Sequence, residues 1–377
     1  MFTHDRLPIL LLPLWLATSA AWSMSAHAAS PPLAVQPGTR AMGMAGVFIA
    51  QADDSSGIWY NPAGPRQDRS LQQDFSLDWG TTTLPALSLD GGRDAGFQDN
   101  TTMLRYAGIY RGSTLGDGQE DEDASGVGLA YLRPYRGATY VDAARSLVDS
   151  TPFGRVEVEY HQVSGALSHT PFAGLALGGT LDFVWADAAC LDVDPCVDNG
   201  PTGAGASLGV LYDAWRAASH VVTLAALWRS RANLGYDTTP SSGLGTVLES
   251  YVADRPETRG VGATVRIPAS FALISANVML ERQRWAAASG SAASLDDVTA
   301  LGAGVEALRP LAGSQTLALR LGARRDAGEF DTTALAAGVG FGLYNKHMFD
   351  AAVQRVSADG GEGEDTWLWS LSYSIQK

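Results

Sequence analysis

The feature that most constrains this chain is a period of two that returns along nearly its whole length. Leu175, Leu177, Leu181, Phe183 and Trp185 interleave with Gly174, Ala176, Gly178, Thr180 and Asp182. At the C-terminal end Trp367, Trp369, Leu371, Tyr373 and Ile375 interleave with Leu368, Ser370, Ser372 and Ser374. Alternation at 180° per residue is the signature of a strand with unlike faces, and no helix can use it. One face here is bulky and ends in aromatics, while the other is small or polar. A soluble sandwich would bury the bulky face. A transmembrane barrel turns it to lipid and keeps the small, polar face for the lumen.

Further sets repeat the pattern: Phe75/Leu77/Trp79, Leu104/Tyr106/Tyr110, Val127/Leu129/Tyr131, Val156/Val158/Tyr160 and Leu208/Val210/Tyr212. Then come Val222/Leu224/Trp228, Val261/Ala263/Val265/Ile267, Leu301/Ala303/Val305, Leu317/Leu319/Leu321 and Leu335/Ala337/Val339/Phe341/Leu343. With weaker stretches near 271–283 and 348–356, residues 71–377 hold about 14 strands, at roughly 22 residues per strand plus connection. Trp79, Trp185, Trp228 and Trp285 are expected at strand ends, in an interfacial girdle. The expected fold is therefore all-β: a transmembrane antiparallel β-barrel of about 14 strands.

Composition narrows the alternatives. Charged residues are only 18% of the 377, and 46% are hydrophobic, so the chain can build a core and is no disordered polymer. A net charge of −14 makes nucleic acid an unsuitable partner. Residues 1–28 read as a secretory signal peptide: Arg6, an apolar run from Leu7 to Trp22, then Ala26-His27-Ala28 as a cleavage site. No later stretch reaches the roughly 18 uncharged apolar residues of a membrane helix. An exported chain of this kind is expected in the bacterial outer membrane, as a monomer inserted by the outer-membrane assembly machinery and surrounded by outer-membrane lipid.

Residues 38–65 do not alternate. They read GTRAMGMAGVFIAQADDSSGIWYNPAGP, with Met42, Met44, Val47 and Ile49 among glycines and a turn at Asn61-Pro62-Ala63-Gly64. Glycines permit close backbone approach, and Asn-Pro starts a tight turn. This stretch resembles the start of the FadL family of outer-membrane transport proteins, which includes long-chain fatty acid and aromatic-hydrocarbon channels. The resemblance implies that residues 29–70 form an N-terminal hatch plugging the lumen of the 71–377 barrel, with Asn61, Pro62 and Ala63 as the hatch's asparagine-proline-alanine element. It also implies passive uptake of a hydrophobic ligand such as a fatty acid, with sideways exit into the bilayer. Some relatives instead serve as protein shuttles in type IX secretion, so a structural or protein-handling barrel is the alternative. An open diffusion porin and a soluble secreted β protein are further competitors, separable by conductance and by extraction without detergent.

Other chemistry is sparse. Cys190 and Cys196 have the spacing of a local disulfide in an oxidising compartment. Asp192, Asp194, Asp198 and Asn199 in the same stretch lack EF-hand spacing, so an acidic solvated loop is preferred to a calcium site. His161, Ser168 and His169 could in principle join an Asp in a hydrolytic site, but no nucleophile elbow surrounds any serine. No enzyme, metal site or cofactor is expected. Arg320 and Arg324 alternate with Leu317, Leu319 and Leu321 and should face the lumen. There they would pair with carboxylates such as Asp53 or Asp54, or alternatively meet a ligand carboxylate.

Overall fold

The computed structural model describes residues 33–34, 36–66, 73–82, 86–87, 93–94, 101–114, 124–141, 154–191, 200–217, 220–234, 254–285, 296–328, 331–344, 346–358 and 365–376. The expected signal peptide, Cys196 and the acidic run Asp192–Asn199 lie outside them, as does the side chain of Cys190.

Fourteen long strands form the wall among the described residues. They are β1 (Gln73–Thr82), β2 (Thr101–Thr114), β3 (Ala124–Val141), β4 (Gly154–Phe172), β5 (Leu175–Leu191), β6 (Thr202–Ala217) and β7 (His220–Arg229). The ring continues with β8 (Glu257–Pro268), β9 (Leu273–Arg284), β10 (Val298–Leu311), β11 (Gln315–Ala327), β12 (Thr332–Leu343), β13 (His347–Ala358) and β14 (Thr366–Gln376). Each pairs antiparallel with its sequence neighbour, and β14 returns to β1 from Trp369↔Thr81 to Gln376↔Asp74. The sheet is thereby closed, which removes the open edges that hydrocarbon does not tolerate. Connections at one end are short, at 173–174, 269–272, 312–314 and 344–346, while 230–256 and 286–297 lengthen the other. Short turns mark the inner end of such barrels and long loops the outer end.

The two faces differ as the alternation requires. Leu181 is 77% exposed, Leu167 67% and Leu321 66%, whereas Ser164, Thr180, Ser207, Thr264 and Glu306 point inward and are buried. Leaving a leucine side chain in water forgoes about 1.5–3 kcal/mol of burial. A continuous belt of such residues around the whole wall is stable only against lipid.

Three expectations about faces are corrected. Tyr106 and Tyr110 are buried inside, and Ile109 between β2's two tyrosines is the exposed residue. A register shift between Asp78 and Trp79 places an extra residue in β2 at Arg105, which changes the facing side along the strand. In β4, Val158 and Tyr160 also point inward, continuous with Ser164, Ala166 and Ser168. Trp285 is fully buried rather than part of a girdle, whereas Trp79 and Trp228 are exposed. These inward side chains build an apolar layer inside the upper barrel.

Candidate functional site

The segment that does not alternate packs against inward-facing residues of the wall. Residues 39–42 form a single helical turn, α1 (Thr39–Met42), and residues 57–60 another, α2 (Gly57–Tyr60). Turns of four residues are too short to persist alone, so packing must hold them. Met42, Met44, Val47 and Ile49 are 0–1% exposed. Val47 and Ile49 lie over Gly302 and Gly260 of the wall. The Met44 backbone lies so close to β11 that a Cβ on Gly322 would stand 2.1 Å from its carbonyl carbon. Pro62 approaches β5 equally closely, 2.2 Å from where a Cβ on Gly178 would be. Glycine in these strands provides close backbone approach, not turn geometry.

Polar anchors surround this apolar fit. Arg40 donates to both oxygens of Glu306, Nε to Oε2 at 2.8 Å and Nη2 to Oε1 at 2.7 Å, and its Nη1 donates to Asp53 Oδ1 at 2.6 Å. Glu306 also accepts from Gln51 at 2.7 Å and from Arg320 Nε at 2.6 Å. Arg320 continues to Asp350 on β13, and Arg266 on β8 reaches Asp53 at 3.0 Å. Asn277 of β9 donates to Gln51 at 2.7 Å. The polar network around the fully buried Glu306 thus ties the segment to β8, β9, β10, β11 and β13. Burial acts against the Arg40 charge, but Asp53 and Glu306 more than offset it and hold its pKa well above the ordinary arginine range. Burial likewise pushes the Asp54 carboxyl up, against the neighbouring Arg40.

On the opposite side, Thr39 Oγ1 donates to Asp78 of β1 at 2.8 Å, and Arg105 of β2 donates to the Gln36 carbonyl at 2.7 Å. Asn61 Nδ2 donates to the Ile49 and Val210 carbonyls at 3.2 Å, while its Oδ1 accepts from the Ala63 amide at 3.1 Å. The amide thereby closes its own turn and binds β6. Substituting Asn61→Leu leaves buried partners unmade, at roughly 1–3 kcal/mol. The expected result is a lower unfolding temperature and faster protease cleavage between residues 52 and 64. A variant as protected as the parent would refute this anchoring role.

The segment's Phe48, Trp59 and Tyr60 join wall aromatics in a buried cluster. Tyr135 meets Trp285 edge-on at 5.2 Å, Trp59 at 6.0 Å and Tyr160 at 6.0 Å, while Phe48 meets Tyr60 at 5.5 Å. The Arg229 guanidinium sits 3.4 Å from the Trp59 ring centroid and donates to the Trp59 carbonyl. Its Nε has no hydrogen-bond partner, and neither does that of Arg255, but Arg255 Nη1 meets Asp182 at 2.7 Å.

Beside this cluster the β2–β3 ladder stops short, and Leu87 pairs parallel with Thr139 on the β3 edge beyond it. The β2–β3 ladder runs from Thr114↔Ala124 only to Tyr106↔Leu132. Beyond it, β3 carries an irregularity between Leu132 and Tyr135, at Arg133-Pro134, and proline has no amide to donate. The free edge of upper β3 instead pairs with the chain just before the lumen segment, Leu33↔Arg136 and Ala34↔Tyr135.

Sequence reasoning placed Arg320 and Arg324 in the lumen, and both are there, buried and ion-paired. The expected partners were wrong: Arg320 meets Glu306 and Asp350, Arg324 meets Asp326 and Glu281, and Asp53 is taken by Arg40 and Arg266. His161, Ser168 and His169 do not converge. His161 stacks on Trp185 at 5.0 Å and bonds Tyr131, Ser168 bonds Tyr110, and His169 bonds Ser125. Arg229, Tyr135 and Trp285 were missed as lumen residues. Arg133-Pro134 within an alternating stretch was the one available sign of the broken ladder.

At the level of sequence, no protein-family model and no curated protein matches the chain. Solved structures do. A Pseudomonas aeruginosa FadL homologue superposes with a TM-score of 0.55 at 13% identity, over 92% of this chain and 100% of that one. The Pseudomonas putida toluene transporter TodX gives 0.56 at 11% identity, over 89% and 97% respectively. The closed fourteen-strand wall described here is accordingly the FadL-type barrel fold.

Proposed function

We propose that the chain is an outer-membrane channel for passive uptake of hydrophobic small molecules, with long-chain fatty acids as the preferred ligand. Residues 29–70 serve as its hatch and residues 71–377 as its barrel. A ligand entering from the long-loop end meets the aromatic cluster and finds the straight route blocked by the 36–66 segment. It leaves sideways into the bilayer where the β2–β3 ladder stops. The observation that supports this most is the adjacency of the aromatic cluster and the end of that ladder: Tyr135, at the centre of the cluster, directly follows Pro134. Arg229 is the candidate for the ligand's carboxylate, because Arg320 and Arg324 are already neutralised by carboxylates. A guanidinium bound to carboxylate in a dry site is a charge-assisted contact.

Binding of radiolabelled oleate to the detergent-purified protein tests this. Arg229→Gln is expected to weaken oleate binding about tenfold, the equivalent of roughly 1.4 kcal/mol, while leaving toluene binding unchanged. Equal loss of both ligands would assign Arg229 to packing instead. If the parent protein binds neither ligand and retains none from the cell, small-molecule transport fails.

A further inference from the structure

The outer face at the long-loop end carries charge in an unusual arrangement. In one row across three strands, Trp228 of β7 stands opposite Arg259 of β8, and Arg259 stands opposite Arg282 of β9. Two residues further up, Arg284 stands opposite Glu257. The side chains of Arg259, Arg282 and Arg284 are 64%, 63% and 44% exposed. Like charges directly opposite each other on neighbouring strands are destabilising. The local carboxylates do not remove the conflict. Glu257 serves both Arg259, at 2.6 Å, and Arg284, at 3.3 Å, while Asp297 serves Arg282 at 3.0 Å. Among the described ion pairs of this rim, three guanidiniums share two carboxylates.

The height of the row identifies the environment. Val278 and Leu280 precede Arg282 on the exposed face of β9, and Leu224 precedes Trp228 on that of β7. The row therefore caps the apolar belt at the depth of lipid headgroups, where tryptophan is favoured. The outward arginines near the short-turn end, Arg111, Arg216 and Arg309, stand on β2, β6 and β10, which are not neighbours. Among the described outward-facing arginines, those of the outer rim stand on neighbouring strands. An arginine pair presents forked donors matched to phosphate oxygens, with the indole beside them for the sugar or acyl boundary.

We propose that Trp228, Arg259, Arg282 and Arg284 form a binding site on the outer wall for the phosphate of a phosphorylated glycolipid in the outer leaflet. The inference rests on the outer-membrane location proposed above, but not on transport. Bound phosphate adds one shared anion between the opposed Arg259 and Arg282, whose carboxylate partners Glu257 and Asp297 are separate.

The test is native mass spectrometry of the full-length protein in mild detergent, with a bisphosphorylated acyl-disaccharide lipid, its dephosphorylated form, or phosphatidylglycerol added. The parent protein should bind the bisphosphorylated lipid at least tenfold more tightly than either of the others. Arg259→Gln/Arg282→Gln/Arg284→Gln should lose at least tenfold of that affinity, on the order of one charge-assisted contact. Arg259→Lys/Arg282→Lys, which keeps the charge but not the fork, should lose less. Heat-modifiable migration on gels establishes that each variant is folded, and Arg216→Gln should leave binding unchanged. Equal binding of phosphatidylglycerol, or undiminished binding by the folded triple variant, would overturn the site. Oleate binding by the triple variant should match the parent, so failure of this site and failure of the transport function are read separately.

Discussion

Glutamine in place of Glu306 should release the N-terminal segment from the wall while the barrel stays closed. Glu306 is fully buried and accepts from Arg40, Gln51 and Arg320. Its neutral analogue keeps the shape but leaves two guanidiniums converging on an uncharged group. Removing one partner from a buried ionic cluster costs about 3–5 kcal/mol. Asp53 and Asp350 still attend the two arginines, so the lower end of that range applies. About 3 kcal/mol is roughly a hundredfold in the docking equilibrium. Hydrogen exchange at residues 38–53 should accelerate by that order, and planar-bilayer conductance should rise. The ladder amides of β10 and β11 should stay protected, since their bonds are to neighbouring strands. Unchanged exchange in the segment would show that packing alone secures it, and global loss of protection would show that Glu306 holds the wall.

Gly322→Val should give the same release by a steric route. The Met44 backbone occupies the space that a Cβ would need, and a backbone cannot swing aside as a long side chain can. Overpacking typically costs about 1–3 kcal/mol and more where nothing yields. Here the yielding body is the segment, because β11 is held on both sides by β10 and β12. Conductance should increase and a protease added to the detergent-solubilised protein should cleave near residues 44–50. Combined with Glu306→Gln, the effect should fall short of the sum, since the second change acts on a segment already undocked. Additive effects would place the two contacts on independent bodies.

The wall was legible in the sequence because lipid outside and polar lumen inside impose period two along most of each strand. Even the weak stretches near 271–283 and 348–356 correspond to β9 and β13. Faces failed where apolar side chains occur on both sides. Tyr106, Val158 and Tyr160 are as apolar as a lipid-facing residue but belong to the buried inner cluster, so hydrophobicity alone could not orient them. The segment's confinement could be anticipated from its glycines and methionines. Its anchors could not, because Arg40 and Glu306 lie 266 residues apart and only the closed ring brings them together. Arg229 was hidden for the same reason: its partner is a backbone carbonyl and an aromatic face 170 positions away.

The pairing of Leu33 and Ala34 with upper β3 gives the lumen segment a second office, as a splint for the wall. Main-chain groups facing hydrocarbon without partners are strongly disfavoured. Where β2 stops pairing, the strand just ahead of the lumen segment takes over the vacated edge. The stopper and the splint are thus one continuous stretch of chain, joined within a few residues at Gln36–Thr39. Any displacement that withdraws the stopper strains the splint, and any ligand that prises the splint away tugs on the stopper. If the chain transports as proposed, its vertical and lateral openings form a single mechanical coordinate, with Arg105 at the pivot through its bond to the Gln36 carbonyl.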